Sequence, residues 1–339
     1  MRCARRSLRL HKTAKATILD SETDPHNPPH SPLESPLESP LESPAQGQSG
    51  RQRTRALGWI TLIYLLAGLA AISTVYALAS STSSVALWWQ LVLANVVATL
   101  VVYGASVVTR NASCYDAYWS VAPPLIALAL AWDQGFEHLR QALVLIVVWL
   151  WGLRLTRNWA YGWTGFGHED WRYRQLAETT GRWWWLVSLL GIHGFPTMMI
   201  LLGSRGLVPA LGAAGAGLNL LDLLALAVGL GAVALSHVAD RELHAFRATR
   251  ADRSEHLTTG VWARCRHPNY LGEIGFWVSI YLFALAAGDD GWSWIGPLAM
   301  LALFAGISIP MIERKLVNDK PAYPAYQQQV PMLVPRLRR

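Results

Sequence analysis

Residues 264–278 read RCRHPNYLGEIGFWV: two arginines, a histidine, an asparagine and a glutamate run straight into an apolar segment. Charge at the depth of a membrane span is costly unless it is paired or binds something. The reading of this stretch therefore decides both the class of fold and where a site should be sought.

The surrounding composition answers the first question. Of the 339 residues, 52% are hydrophobic, 15% are charged and 17 are tryptophan, and the mean hydropathy is +0.23. Water-soluble domains seldom combine these values, so the expected class is all-α, a polytopic transmembrane helix bundle in contact with membrane lipids. The net charge of +7 does not argue for nucleic acid. The arginines stand in short clusters between apolar runs, as in the cytoplasmic loops of inserted proteins. Cys3, Cys114 and Cys265 form no CxxC pair, so neither a disulfide framework nor a zinc site is indicated.

From Arg51 onward about eight apolar spans follow, at 56–78, 84–108, 118–132, 141–155, 183–203, 218–238, 271–288 and 292–312. Each is near the ~20 residues that a bilayer core requires, and the count drops to seven if the short third and fourth are partly re-entrant. The cluster RQRTR at 51–55 puts the N-terminus in the cytoplasm, and alternation then assigns the basic loops inside. Both termini are expected to be cytoplasmic, in a bacterial inner membrane.

Residues 1–50 read differently: a basic start leads into a repeated SPLE tetrapeptide from Ser31, dense in proline. Proline lacks a donor N–H and cannot continue a helix, so a disordered cytoplasmic tail is expected ahead of a transmembrane domain at 51–339. Asn111-Ala-Ser matches a glycosylation acceptor but falls on the cytoplasmic side. GAAGAG at 212–217 follows no strand and reads as flexible spacing. The run His168-Glu169-Asp170 reads as a solvated loop rather than a metal site, with Asp170 able to cap a short interfacial helix.

The polar residues that remain gather in three inside segments. Arg154, Arg157 and Asn158 stand about one turn apart at a helix end and can point together at an anion. Asp240 and Arg247 are two turns apart on one face, and Arg266, His267, Asn269, Tyr270 and Glu273 open the next span. Glu313 and Tyr326 belong to the third segment, beside Arg314 and Lys315. Singly, Glu273 reads as an ion-paired residue, with Arg264 or Arg266 as partner. Taken together the set suits a cytoplasm-facing pocket for a polyanionic cofactor.

At these residues the chain resembles a known family. RHPNYLGE at 266–273 and the tail ERKLVNDKPAYPAYQQQVPMLVP are similar to the C-terminal half of the steroid 5α-reductase and sterol reductase superfamily. The nearest branch is a set of bacterial steroid 5α-reductase-like proteins that also carry something like YDAYWSVAPP and GFGHEDWRYRQL. The resemblance covers most of 51–339. It implies NADPH as cofactor, held by Asp240 and Arg247, with Asn269 and Glu273 at the nicotinamide and ribose, and reduction of a C=C bond in a lipophilic steroid-, sterol- or isoprenoid-like substrate. Arg266 would meet phosphate, and Tyr323 and Tyr326 would close over the adenine. The chain departs from the reductases on its earlier helices, where they place a catalytic Glu and Tyr: Arg154 stands where the Tyr is expected. Tyr118 is the candidate acid, with Asp116 orienting it. Isoprenylcysteine carboxyl methyltransferases also carry RHPxYxG and a related tail, which makes S-adenosylmethionine the alternative cofactor; a membrane protein without enzymatic activity is the third reading.

Overall fold

The computed structural model describes residues 48–81, 85–212, 217–289 and 291–335. The SPLE repeat, most of the Gly-rich stretch at 212–217 and the terminal RLRR lie outside the described residues. Those described form helices and short connections, with no strand among them. The bilayer leaves a backbone no other donor or acceptor, so helices that satisfy their own N–H and C=O groups are the solution available to a chain this apolar.

The helices are α1 (Gln48–Ala79), α2 (Leu87–Thr109), α3 (Tyr118–Asp133), α4 (Leu139–Gly162), α5 (Trp171–Thr180), α6 (Trp184–Val187), α7 (Phe195–Ser204), α8 (Leu207–Gly212), α9 (Leu220–Thr249), α10 (Pro268–Ala286), α11 (Ile295–Leu301), α12 (Ile309–Asp319) and α13 (Tyr323–Gln329). Seven helical stretches are long and apolar enough to cross a membrane: α1, α2, α4, the composites 171–204 and 295–319, α9 and α10. The third expected span is α3, only 16 residues long. It still packs along α4, with Ser120 Oγ 2.8 Å from Thr156 Oγ1, and Gly152 of α4 leaves a notch for Pro124.

α6 runs into α7, and α11 into α12, through π-helical turns at Ser188–Gly194 and Ala302–Ser308. Each turn stands just before a proline, Pro196 or Pro310, whose missing N–H frees the bonding register one turn earlier.

α10 is the central helix. Its Phe276, Trp277, Ile280 and Phe283 are buried, and Trp151 of α4 stacks on Phe276 with ring centres 4.3 Å apart. α9 approaches α10 closely because small residues line the crossing: a Cβ at Gly272 would collide with Ser236 Oγ. α1 and α2 form a second cluster through Ala56, Ile60, Ala67, Ala98 and Val102. The opposite face of α1 exposes Trp59, Leu65, Leu69 and Ile72, the surface that lipid tails cover.

Contacts between helix ends define two faces of the bundle. On one face Arg53 donates to Trp163 O (3.1 Å) and Ala160 O (2.8 Å), and the α2–α3 loop meets the chain that follows α4. The last turns of α9 and the first of α10 lie on that face too. On the other, Arg140 of α4 joins Asp222 of α9 and Ala286 O of α10.

Candidate functional site

Three helices bring the site together by running past the apolar windows that mark their spans. α4 extends to Gly162, α9 to Thr249 and α12 to Asp319, and these polar extensions face one another. α10 enters with His267 as its N-cap and Pro268 in its first turn, where proline's fixed φ and missing N–H cost nothing.

The deepest element is an ion cluster. Arg154 Nη1 donates to Asp240 Oδ2 at 2.7 Å, and its Nη2 pairs with Glu273 Oε1. Trp151 Nε1 donates to Glu273 Oε2 at 2.6 Å. Arg154 Nε is buried and has no hydrogen-bond partner among the described residues. The partner of Glu273 is thus Arg154, not Arg264 or Arg266 as the sequence suggested. The expected convergence of Arg154, Arg157 and Asn158 does not form. Arg154 turns inward, Arg157 is exposed, and Asn158 Oδ1 meets His244 Nε2 at 2.7 Å.

Beside this cluster lies a cavity of about 300 Å³. Arg247, Arg266, His267, Asn269, Tyr270, Tyr323 and Tyr326 line it, together with Arg172, Arg250, His256 and Lys320, which sequence reasoning did not select for the site. Five arginine or lysine side chains thus face it, against Asp170, Glu255 and Asp319. Lys320 Nζ donates to Arg253 O (2.8 Å) and Glu255 O (2.7 Å), which fixes the loop after α9. His256 sits between the rings of Tyr323 and Tyr326, at 5.4 and 5.1 Å. Burial, then the nearby Lys320 charge, holds its imidazole below the usual histidine range, while burial pushes both phenols up.

The Arg266 fork is engaged on the C-terminal segment. Nε and Nη2 donate to the two oxygens of Glu313 at 2.6 and 3.3 Å, and Nη1 donates to Gln327 O at 3.0 Å. His267 Nε2 and Gln327 Nε2 meet the same carboxylate at 2.9 and 3.0 Å. The backbone N–H groups of Arg266 and His267 donate to Pro331 O and Met332 O. The polar start of α10 therefore also ties down the C-terminal tail.

Tyr118 and Asp116 go to different partners, so Asp116 does not orient Tyr118. The Tyr118 hydroxyl donates to Asn95 Oδ1 of α2 at 2.6 Å, whereas Asp116 accepts from Tyr173 at 2.7 Å. Tyr118 begins α3 and points into the bundle, whereas Asp116 closes the loop before it. Asn95 Nδ2 is buried without a partner among the described residues. Nearby, Thr197 Oγ1 joins Thr99 (2.9 Å) and Tyr115 (2.8 Å). An aromatic layer stands between this polar cluster and the cavity: Tyr270 stacks on Phe304 at 4.9 Å, and Phe304 meets Trp119 at 6.4 Å.

This arrangement lies within a segment that matches a known family over residues 102–330, described as Protein of unknown function (DUF1295). The chain belongs to that family. A Schizosaccharomyces pombe relative, Uncharacterized protein C594.04c, is 27% identical over 264 residues, covering 70% of this chain and 76% of its own. No solved structure matches. The DUF1295 segment contains the ion cluster, the cavity lining, Tyr115, Tyr118 and Thr197, and leaves out α1 and the first 15 residues of α2, with Asn95 and Thr99.

Proposed function

We propose that this DUF1295 protein is a membrane-embedded NADPH-dependent reductase of a C=C bond in a lipophilic substrate. The observation that carries the reading is the cationic cavity beside the Arg154–Asp240–Glu273 cluster. Guanidinium forks suit phosphate, and a dinucleotide carrying an extra phosphate is the cofactor class that such a lining favours over the cationic S-adenosylmethionine. The resemblance of RHPNYLGE and the tail to sterol reductases supports the same reading.

In this reading Arg247 and Arg250 hold phosphates, Lys320 holds the loop that carries His256, and Tyr326 and Tyr323 flank the base. Asn269 and Tyr270 stand at the membrane end, toward the reacting ring. Glu273 and Asp240 act from behind, through Arg154. Arg266 and Glu313 hold the wall rather than the ligand, and Arg157 stays at the rim. The bound cofactor would supply a hydride to one carbon of a polarised double bond. Tyr118 Oη carries the proton for the partner carbon, held by Asn95 Oδ1, and Asn95 Nδ2 offers a donor to a substrate oxygen. Substrate would enter from the lipid side, past Phe304 and Trp119. The basic face of the bundle would be cytoplasmic, in a bacterial inner membrane.

Thermal shift of the purified protein with NADPH and with S-adenosylmethionine tests the reading. Stabilisation by NADPH alone is the expected result. Stabilisation by S-adenosylmethionine alone would turn it to a methyltransferase, and a response to neither would remove both.

A further inference from the structure

α5 is built unlike the rest of the bundle. All ten of its residues are at least partly exposed, so core packing does not fix it; hydrogen bonds along one edge do, and a glycine stands on either side of it. Gly165 ahead of it has φ +124° and Gly181 behind it φ +51°, values that favour glycine. Two such positions bracketing residues 166–180 are natural hinges.

Between the hinges the segment touches two parts of the protein. One edge is tied to the α2–α3 loop. Asn111 Nδ2 donates to Phe166 O and His168 O at 2.9 Å each, and Ala112 N to Glu169 Oε1 at 2.6 Å. Asp170 N donates to Ser113 Oγ at 3.0 Å, and Tyr173 to Asp116 at 2.7 Å. The other edge faces the cavity: Asp170, Trp171 and Arg172 line it, and Lys315 of α12 stands 5.1 Å from the Trp171 ring centre.

Arg172 is the informative side chain. Its fork is bidentate to Asp170, at 2.8 and 2.9 Å, yet this partner lies two residues away on the same segment and the Arg172 side chain is 35% exposed. A carboxylate and a phosphate offer a guanidinium the same paired-oxygen geometry. Asp170 keeps its role at the start of α5 without Arg172, because it also accepts from the Arg172 backbone N–H.

We propose that residues 166–180 are a lid over the cavity, closed by transfer of Arg172 from Asp170 to a phosphate of the ligand. The bonds to the α2–α3 loop, from which Tyr118 begins, carry the closure to that loop, so that cofactor binding precedes productive placement of the proton donor. The inference rests on the cavity's taking a phosphate-bearing cofactor.

Hydrogen exchange on the full chain in lipid nanodiscs tests it, with NADPH or inorganic pyrophosphate added to wild type, Arg172→Gln and Tyr173→Phe. NADPH is expected to slow exchange roughly tenfold over 166–180, 110–118 and 264–273 in wild type. Arg172→Gln should keep the protection of 264–273 and lose that of the other two segments. Tyr173→Phe should lose only that of 110–118. Protection of 264–273 by NADPH without any over 166–180, or an Arg172→Gln protein protected like wild type, overturns the lid and leaves the cofactor reading standing. Protection of 166–180 by pyrophosphate but not NADPH, lost in Arg172→Gln, retains the lid and overturns the dinucleotide. No change with either ligand overturns the lid.

Discussion

α4 and α9 are joined by an arginine–aspartate pair on each face of the bundle, and the two pairs are built to different rules. On one face Arg140 meets Asp222 through two bonds of 2.7 and 3.0 Å, and Arg140 also donates to Gly217 O and Ala286 O. Asp222 closes its own helix cap by accepting from Asn219 N. The side chains are 2% and 0% exposed, with one cation for one anion. On the other face Arg154 serves two carboxylates, its Nε lacks a partner among the described residues, and Asp240 is 13% exposed. A buried polar group left over in a folded protein needs a reason. The first pair is complete in itself; the second has a surplus anion, an unused donor and a cavity alongside, the features of a group that acts on something else.

Removing the arginine from each pair is the most direct way to break this contrast. Arg140→Ala strands a fully enclosed carboxylate, and breaking such a pair costs about 3–5 kcal/mol. The expected outcome is a large drop in the thermal midpoint in detergent and little folded protein. Arg154→Met should cost less, about 1–3 kcal/mol, because its acids are less enclosed, and should weaken NADPH binding as well. Equal losses of stability in the two variants would erase the distinction.

Arg247→Ala sharpens the contrast from the ligand side. Loss of a charged hydrogen bond of about 1.5–3 kcal/mol corresponds to roughly ten- to a hundredfold in affinity. Calorimetry should find that loss for NADPH. Arg266→Ala, by contrast, should lower the apo midpoint by freeing Glu313 and the tail from the start of α10.

The smallest effect is a titration. Burial, and then the charge of Asp170, push the Asp116 carboxyl up to about 7, opposed by Tyr173, Arg172 and Ser113. Its unfolded value is about 3.9, so the folded state holds the extra proton. The stabilisation is complete below about pH 4, falls as pH rises toward 7, and is flat above. Midpoints measured from pH 4 to 8 should show wild type losing ground to Asp116→Asn across that window.

The sequence made the spans legible because apolar windows end where the membrane does. The helices themselves do not stop there: α9 continues 11 residues beyond Val238 to Thr249, since backbone bonding is indifferent to polarity. The place where polar residues gather, the candidate site, was readable for that reason, from Asp240, Arg247 and RHPNYLGE. Its internal pairing was not. Whether Arg154 faces Glu273 or a ligand depends on how α4 is rotated against α10, and whether Arg266 is engaged depends on a tail 47 residues away at Glu313. Asn95, a lone amide in an apolar span, carried a signal that went unused; His256, in an irregular loop, carried none.

α3 has one more consequence, for the membrane itself. Its 16 residues reach about 24 Å at 1.5 Å per residue, short of a hydrocarbon core about 30 Å thick. Lipids beside such a helix must shorten or splay to meet its ends. Local thinning is therefore expected beside the exposed Leu125, Leu128 and Trp132 of α3, and the thickness of the host membrane becomes a variable that acts on this side of the protein.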